Sequence, residues 1–187
     1  MKRIAPLFLL AFLSLPAHAQ TLSFYGTAGR TPETWHGHAN IEMLNLEYAH
    51  PLSPRTELGF VLSPASVLQP KSWFGDDYGD GNERVRALAG SLLLRRRFHR
   101  DSARVQFYAE GSTGPMLAEK PVPASTSRFN FISQLGVGLV VMPATRTPLV
   151  IGYRYQHISN GGYSPRNPGL NVSSLVVGVR IATMRRR

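Results

Sequence analysis

The sequence contains no cysteine, so disulfide bonds cannot stabilise its fold. After residue 20 it has almost no helical hydrophobic periodicity, and no segment there has the length and apolar character of a membrane-spanning helix. Acidic residues are scarce, with 11 Asp and Glu against 21 Lys and Arg and a net charge of +10. An exported fold without disulfides or membrane helices needs another source of stability, and a membrane around a closed β-sheet can provide it.

The first 19 residues have the features of a secretory signal peptide. Two basic residues precede an apolar run over residues 4–15, and residues 17–19 form the small-x-small pattern that signal peptidase cleaves. We therefore expect residues 1–19 to be removed and residues 20–187 to fold as one domain. An uncleaved membrane anchor is the alternative interpretation, and the cleavage pattern argues against it.

The positive charge of the mature chain indicates a membrane surface rather than a nucleic acid. Removal of Lys2 and Arg3 takes two charges from the net +10 and leaves +8. In a cytoplasmic protein such a charge would favour a nucleic-acid partner. With an export signal, anionic lipid head groups are the expected partner. The arginine clusters at 95–97 and 185–187 lie at the ends of apolar stretches, so we expect them at the solvated rims.

Segments of alternating hydrophobicity, separated by Gly- and Pro-rich stretches, run through the mature chain. This pattern is typical of a transmembrane β-barrel, in which one face of each strand meets lipid and the other meets the lumen. We therefore predict an all-β fold, an eight-stranded antiparallel transmembrane β-barrel in the cell outer membrane. The predicted strands are residues 21–30, 38–49, 55–64, 84–98, 103–112, 128–142, 148–159 and 171–183.

The connections between these strands alternate in length. Short ones lie near 50–54, 99–102 and 143–147, and longer ones near 31–37, 65–83, 113–127 and 160–170. Because such barrels have short periplasmic turns and long external loops, we expect the first strand to run outward and the eighth to run inward. Eight strands leave a lumen that side chains just fill, so we do not expect a pore.

The seventh strand carries the side chains of most chemical interest. Its two faces are Leu149, Ile151, Tyr153, Tyr155 and Val150, Gly152, Arg154, Gln156. The first face is apolar and should meet lipid, because the second holds a charge and an amide. Continued by twos, the lipid face reaches His157 and then Ser159 at the outer end. Residues two apart in a strand are about 6–7 Å apart at Cα, which permits a hydrogen bond from Ser159 Oγ to the imidazole. Such a pair suits nucleophilic acyl transfer.

Neighbouring strands bring further side chains to the same place. By the same alternation, Phe131 lies on the lipid face of the sixth strand and Asn171 on that of the eighth, each near the outer rim. The predicted topology therefore places Phe131, His157, Ser159 and Asn171 on three adjacent strands, on one face and at one end.

At these residues the sequence resembles a known family. The run Tyr-Arg-Tyr-Gln-His-Ile-Ser-Asn-Gly-Gly at 153–162, followed by Asn-Pro-Gly at 167–169, resembles the active-site segment of the outer-membrane lipid A deacylases, also called acyloxyacyl hydrolases. The segments at 129–131 and 135–138 resemble the preceding strand of that family. The resemblance in residues covers the last third of the chain, and the rest is similar in architecture alone.

The resemblance implies an esterase that removes the ester-linked 3-hydroxyacyl chain at position 3 of lipid A. The partner would be lipopolysaccharide in the outer leaflet, and neither a metal nor an organic cofactor would be needed. His157 would be the general base and Ser159 the nucleophile, with Phe131 beside the site. The implied oxyanion donors are the backbone amides from Asn160 through Gly161 to Gly162 and the side chain of Asn167.

The third catalytic residue departs from the family pattern. The family's best-known representatives have a glutamate where this sequence has Asn171. An asparagine can orient a histidine, as in Cys-His-Asn proteases, but it stabilises the imidazolium less because it is neutral.

Other interpretations remain open from the sequence. Ser159 and Asn160 could open a turn with the two following glycines, and His157 could extend the aromatic girdle. A phospholipase or general esterase would use the same pair, whereas a structural or adhesive barrel would not require Ser159. The sequence specifies neither the oligomeric state nor the acyl-chain preference.

Polar residues elsewhere in the predicted outer loops indicate no specific site. The acidic segment at 76–83 lacks the ligand spacing of an EF-hand, and two histidines, His36 and His38, do not by themselves define a metal site. Five cations are expected on the outer side, where they could bind lipid A phosphates or keep the rim solvated: Arg30, Lys71, Lys120, Arg128 and Arg166.

Overall fold

The chain forms a closed barrel of eight strands, each pairing antiparallel with its sequence neighbours and the first with the last. The computed structural model describes residues 20–32, 37–72, 81–98, 104–142 and 147–184, with side chains up to Arg180. The predicted fold class is confirmed, whereas the predicted signal peptide lies outside the described residues. The strands are β1 (Gln20–Arg30), β2 (Asn40–Ser53), β3 (Thr56–Pro70), β4 (Asn82–Arg97), β5 (Val105–Ala118), β6 (Phe129–Val141), β7 (Leu149–Ser159) and β8 (Leu170–Met184).

Two strands continue past the ends predicted from the sequence, and the added length includes a proline in each strand. β3 extends to Pro70 instead of residue 64, and β5 extends to Ala118 instead of residue 112. The β2–β3 ladder is interrupted around Pro64, and Pro64 instead pairs with Leu88 on β4. Proline lacks the N–H that a ladder requires, so it interrupts pairing on one side without ending the strand. β2 is also longer than predicted and ends at Ser53.

The outer face of the barrel is a belt of exposed apolar side chains. Leu135 and Leu175 are 69% and 67% exposed, and many others on alternate strand positions are similar. A soluble protein rarely exposes such a continuous surface, whereas a lipid-facing barrel requires it. Among the described residues there is no helix long and apolar enough to cross a bilayer.

The lumen holds a network of charged side chains next to buried apolar clusters. Nη1 and Nη2 of Arg95 donate to Glu47 at 2.6 and 2.7 Å, and Nη2 also donates to Glu110 at 2.8 Å. Arg154 donates to Glu110 and to the hydroxyl of Tyr25 at 3.2 Å. Carboxylates from separate strands thus neutralise buried arginines, which an apolar interior could not hold unpaired.

The prediction of solvated rim arginines is wrong for two of the three residues at 95–97. Arg95 and Arg97 are 3% and 8% exposed and point into the lumen, whereas Arg96 is exposed. Strand alternation is the reason, because residues two apart share a face and Glu47, Glu57 and Glu110 provide partners inside. The second cluster, at 185–187, lies outside the described residues.

Candidate active site

Three neighbouring strands bring the predicted site residues to one end of the lipid-facing surface. Along the β6–β7 ladder Phe131 pairs with Ser159, and along the β7–β8 ladder His157 pairs with Asn171. Paired residues on adjacent strands project from the same face, so these four side chains form one patch. The patch lies beside the long 119–128 and 160–169 connections, which mark the outer end of the barrel.

The alternation predicted for β7 is confirmed. Leu149 and His157 are exposed, as are the alternate residues between them, whereas Arg154 and Gln156 are buried in the lumen. Ser159 is half-buried on the outer face. The histidine and the serine therefore face the lipid phase, where a lipid substrate can reach them.

Asn171 holds the imidazole of His157. Nδ1 of His157 lies 2.7 Å from Oδ1 of Asn171. A carboxamide oxygen only accepts hydrogen bonds, so Nδ1 carries the proton and Nε2 keeps a free lone pair. This tautomer is the one in which Nε2 can act as a base.

Ser159 and His157 lie on the same face, but no hydrogen bond joins their side chains among the described residues. Their Cα atoms are about 6–7 Å apart, as for any i, i+2 pair in a strand. Catalytic hydrogen bonds are often long without substrate and tighten in the Michaelis complex. Ser159 Oγ must therefore come closer to the imidazole before it can transfer its proton.

Asn160 organises the loop that follows β7. Its side chain is 1% exposed, Nδ2 donates to the carbonyl of Arg166 at 2.8 Å, and Oδ1 accepts from the Gly162 amide at 2.9 Å. Its own backbone amide donates to Oδ1 of Asn167 at 2.9 Å. Two of the three amides suggested as oxyanion donors, those of Asn160 and Gly162, are therefore engaged within the loop.

Two donors of this loop remain open. The Asn167 side chain is exposed, and Asn160 holds its oxygen rather than its nitrogen. Among the described residues, neither Asn167 Nδ2 nor the amide of Gly161 has a hydrogen-bond acceptor. Gly161 has a φ of 64°, a left-handed conformation that glycine adopts without strain.

Gly169 lies against the imidazole of His157. A Cβ atom at Gly169 would lie 2.8 Å from Cε1 of His157 and 3.5 Å from Nε2, and the φ of Gly169 is 68°. Any side chain at this position would displace the ring. This contact was not predicted from the sequence, although the Asn-Pro-Gly motif at 167–169 contains Gly169.

Aromatic rings border the site on the β6 side. The rings of Phe129 and Phe131 meet edge to face with centroids 5.2 Å apart, and the Tyr163 ring lies 6.1 Å from that of Phe131. A Cβ atom on Gly161 would lie 3.2 Å from the Phe131 ring, so this ring covers the turn. Phe131 therefore shapes the wall next to Ser159, with Tyr163 as a partner that the sequence did not indicate.

A groove of about 430 Å³ begins at His157 and crosses the outer face of β6, β5 and β4. Small side chains, among them Ser133, Thr113 and Gly111, lie along it, and leucines including Leu94 line its far end. Ser133 pairs with His157 across the strands, and its hydroxyl lies 2.9 Å from that of Thr113. The groove is thus apolar, with a hydroxyl pair close to the histidine.

The outer end carries positive charge. The five predicted cations lie in or next to the outer connections: Arg30, Lys71, Lys120, Arg128 and Arg166. Nζ of Lys120 donates to Glu83 at 2.8 Å, and this hydrogen bond and the charge of Glu83 raise the pKa of the ammonium above its usual value. Arg30 Nη2 lies 2.8 Å from Nδ1 of His38.

The described residues contain no group of three or more acidic or histidine side chains that could hold a metal ion. Most of the acidic segment at 76–83 lies outside the described residues, as does His36. His38 is described, and its ring contacts Arg30.

A family model described as Lipid A 3-O-deacylase (PagL) matches residues 33–180 of this chain. A curated relative, the lipid A deacylase PagL of Bordetella bronchiseptica, is 34% identical over 73 residues, which cover 37% of this chain and 39% of the relative. The aligned region therefore spans less than half of that relative.

Two solved structures share the fold. The crystal structure of the outer membrane enzyme PagL matches with a TM-score of 0.58 and 17% identity, over 83% of this chain and 97% of that one. Neisserial surface protein A (NspA) matches with a TM-score of 0.58 and 16% identity, over 88% and 97%. Because one fold can host unrelated functions, these likenesses establish the architecture and leave the activity to the site.

Proposed function

Because the chain belongs to the lipid A 3-O-deacylase (PagL) family, we propose that it is a serine esterase that releases the 3-hydroxyacyl chain from position 3 of lipid A. The protein is an eight-stranded barrel of the outer membrane. Its substrate would be lipopolysaccharide in the outer leaflet, with residues 1–19 as the signal peptide and residues 20–187 as the enzyme. His157, Ser159 and Asn171 would perform the reaction without a cofactor.

The observation that carries this proposal is the hydrogen bond between His157 Nδ1 and Asn171 Oδ1 on the lipid-facing surface. A histidine that only extends an aromatic girdle needs no such orientation. Here the bond fixes the tautomer with a basic Nε2, and Gly169 leaves room for the ring. This arrangement favours catalysis over a purely structural barrel.

The reaction follows from this geometry. Ser159 Oγ adds to the ester carbonyl carbon while its proton passes to Nε2 of His157. When the bond to the sugar oxygen breaks, His157 returns the proton to that oxygen and the acyl chain stays on Ser159. A water molecule, deprotonated by His157, then adds to the acyl-serine ester, and His157 returns that proton to Ser159 Oγ as the 3-hydroxy fatty acid is released.

Negative charge develops on the carbonyl oxygen during both additions. We assign its stabilisation to Nδ2 of Asn167 and the amide of Gly161, the donors that the loop leaves open. Asn160 would act through them, by holding the oxygen of Asn167. Preorganised donors of this kind commonly provide a large part of the rate enhancement.

The groove at His157 favours a substrate whose ester carries a long acyl chain. It is apolar and opens to the lipid phase, so a chain can enter from the bilayer without crossing water. The hydroxyls of Ser133 and Thr113 lie near the histidine, where they can bond a hydroxyl group on the bound chain.

Mass spectrometry of lipid A tests the proposal. The full-length chain is expressed in a bacterium that lacks such an activity, beside Ser159→Ala and Ser164→Ala, a control in the loop that follows β7. We expect wild type and Ser164→Ala to remove one 3-hydroxyacyl group and Ser159→Ala to remove none. Unchanged lipid A with cleaved phospholipids would indicate a phospholipase. No cleavage of either lipid by a correctly assembled barrel would indicate the structural alternative.

A further inference from the structure

A second groove, which we call the β1 furrow, runs along the outer face of β1. Its floor is formed by Gly26 and Ala28, the smallest side chains available at two successive outward positions. Leu44 pairs with Gly26 on one side, and Leu175 pairs with Ala28 on the other. Branched leucine side chains therefore project on both sides of β1, whereas the outward positions of β1 between them carry almost no side-chain atoms.

The β1 furrow is large and continuous. Its lower part has a volume of about 620 Å³, and its upper part, about 520 Å³, shares Ala28, Glu42 and Leu175 with it. It lies in the outer half of the barrel, because β1 runs toward the outer end and the furrow ends at Arg30. Four residue steps from Gly26 to Arg30 correspond to roughly 13 Å along the strand.

The two ends of the β1 furrow differ in character. The lower part is apolar, whereas Arg30 lies at the upper end, in contact with His38. Glu42 also lines the furrow, and its carboxylate is 3.5 Å from Arg84, which offsets its charge. An apolar channel below a cation matches a lipid acyl chain that hangs from an anionic head group.

The β1 furrow is close to the catalytic residues. Arg30 pairs with Ser173 on β8, and Ser173 pairs with Tyr155 on β7, two residues from His157. Two strand spacings and two residue steps give a separation of roughly 10–12 Å between the furrow and the histidine. The hydroxyl of Tyr153 donates to Ser173 at 2.8 Å and forms part of the wall between them.

We propose that the β1 furrow binds a second acyl chain of the same lipid molecule whose ester is held at Ser159. This proposal rests on the proposed function and specifies its substrate class, a lipid that carries several acyl chains on one large anionic head group. One chain lies in the groove at His157 and another in the β1 furrow, on opposite sides of Asn171 and Ser173. The head group spans the two, with Arg30 at its edge.

Filling the β1 furrow tests the proposal without touching the catalytic residues. Ala28→Leu and Gly26→Leu place a branched side chain on its floor. A Cβ atom at Gly26 would have its nearest neighbour, the carbonyl oxygen of Val177, at 3.9 Å, so the barrel accommodates it. Ala109→Leu is the matched control, because Ala109 is a small outward residue on β5 outside both grooves. Electrophoretic mobility without boiling reports whether each barrel is folded.

Each protein is assayed on purified lipopolysaccharide and on the p-nitrophenyl ester of a single fatty acid. We expect the two furrow variants to lower kcat/KM for lipopolysaccharide at least tenfold, mainly through KM, and to hydrolyse the single-chain ester within twofold of wild type. Ala109→Leu should match wild type on both substrates. Unchanged lipopolysaccharide hydrolysis, or equal losses on both substrates, would overturn the assignment.

A binding measurement separates this proposal from the proposed function. The amount of lipopolysaccharide bound per barrel is measured for Ser159→Ala and for the double variant that also carries Ala28→Leu. Vesicles of a two-chain phospholipid are added as the competitor. Weaker binding of lipopolysaccharide by the double variant supports the β1 furrow assignment even if wild type hydrolyses nothing. The absence of hydrolysis would contradict only the proposed esterase activity. Equal binding of lipopolysaccharide by the two proteins would show that the β1 furrow holds ordinary bilayer lipid. Displacement of the bound lipopolysaccharide by phospholipid alone would lead to the same conclusion.

Discussion

Nδ1 of His157 and Oδ1 of Asn171 lie 2.7 Å apart across the β7–β8 ladder. This pair puts a neutral carboxamide at the third position of the proposed triad. The carboxamide fixes the imidazole tautomer, but it would not neutralise the imidazolium formed in the proposed reaction when Ser159 loses its proton. The consequences for the rate are testable by substitution at Asn171.

Asn171→Ala should lower fatty-acid release by about tenfold to a hundredfold, less than the loss on Ser159→Ala, because the base survives and only its orientation is weakened. Asn171→Glu should retain or raise the rate, since a carboxylate orients the ring and also stabilises its cation. The measurement is fatty-acid release from purified lipopolysaccharide at matched enzyme levels. An unchanged rate in Asn171→Ala would mean that another group, or none, orients His157.

Gly169→Ala should lower kcat while the barrel stays folded. Its new Cβ atom would lie 2.8 Å from Cε1 of His157, a contact so close that the ring would be displaced from its position against Asn171. Gly81→Ala is the control, because Gly81 also has a positive φ but no atom within 4 Å of the added Cβ position. Steady-state rates and folded fractions are compared for both variants. Equal activity in the two would show that the position of the imidazole does not depend on the missing side chain at Gly169.

Substitutions at Asn160 and at Asn167 should differ in their effects on the rate and on the stability of the loop. Asn167→Asp removes the proposed oxyanion donor Nδ2 but keeps the oxygen that accepts from the Asn160 amide, so it should lower kcat by about 10²–10³ with the loop intact. Asn160→Ala removes the bonds to Arg166 and Gly162, so it should lower the rate and also make the 160–169 loop sensitive to protease. Kinetics and limited proteolysis on the same samples separate the two effects. A protease-sensitive Asn167→Asp protein would mean that the Nδ2 group stabilises the loop instead of binding the oxyanion.

Glu110→Ala should destabilise the barrel without altering the chemistry at its surface. Glu110 bonds both Arg95 and Arg154 in the lumen, so its loss leaves two buried cations short of a partner. We expect a loss of roughly 3–5 kcal/mol in the free energy of unfolding, as for other broken buried pairs. Urea unfolding measures this, with exposed Arg96→Ala as the control. Equal midpoints for the two variants would mean that lumen water replaces the carboxylate.

Strand alternation made much of the architecture predictable. The faces of β7 follow directly from the period of two, and the same period placed Phe131 and Asn171 beside His157 and Ser159. Arg95 and Arg97 were instead predicted to lie at a solvated rim, because they are clustered with Arg96 at the end of an apolar stretch. Their partners, Glu47 and Glu57, are far away in sequence, so the lumen network could not be read locally.

Features of the site that depend on the folded conformation of the loops could not be predicted from the sequence. Asn160 was predicted to be a donor at the site, and its burial with bonds to Arg166 and Gly162 emerges only from the folded turn. The contact of Gly169 with the imidazole likewise needs the loop to return beside β7. The β1 furrow depends on small and large residues from three strands meeting side by side, which requires the registers.

The assignment of Ser159 as the nucleophile is tested most directly by the rate of 3-hydroxy fatty acid release from purified lipopolysaccharide. Wild type and Ser159→Ala barrels are compared at equal folded concentration. We predict a loss of at least about 10³-fold in Ser159→Ala, since removing a nucleophile abolishes the acyl-enzyme route. Release by Ser159→Ala within a few-fold of wild type would contradict the assignment.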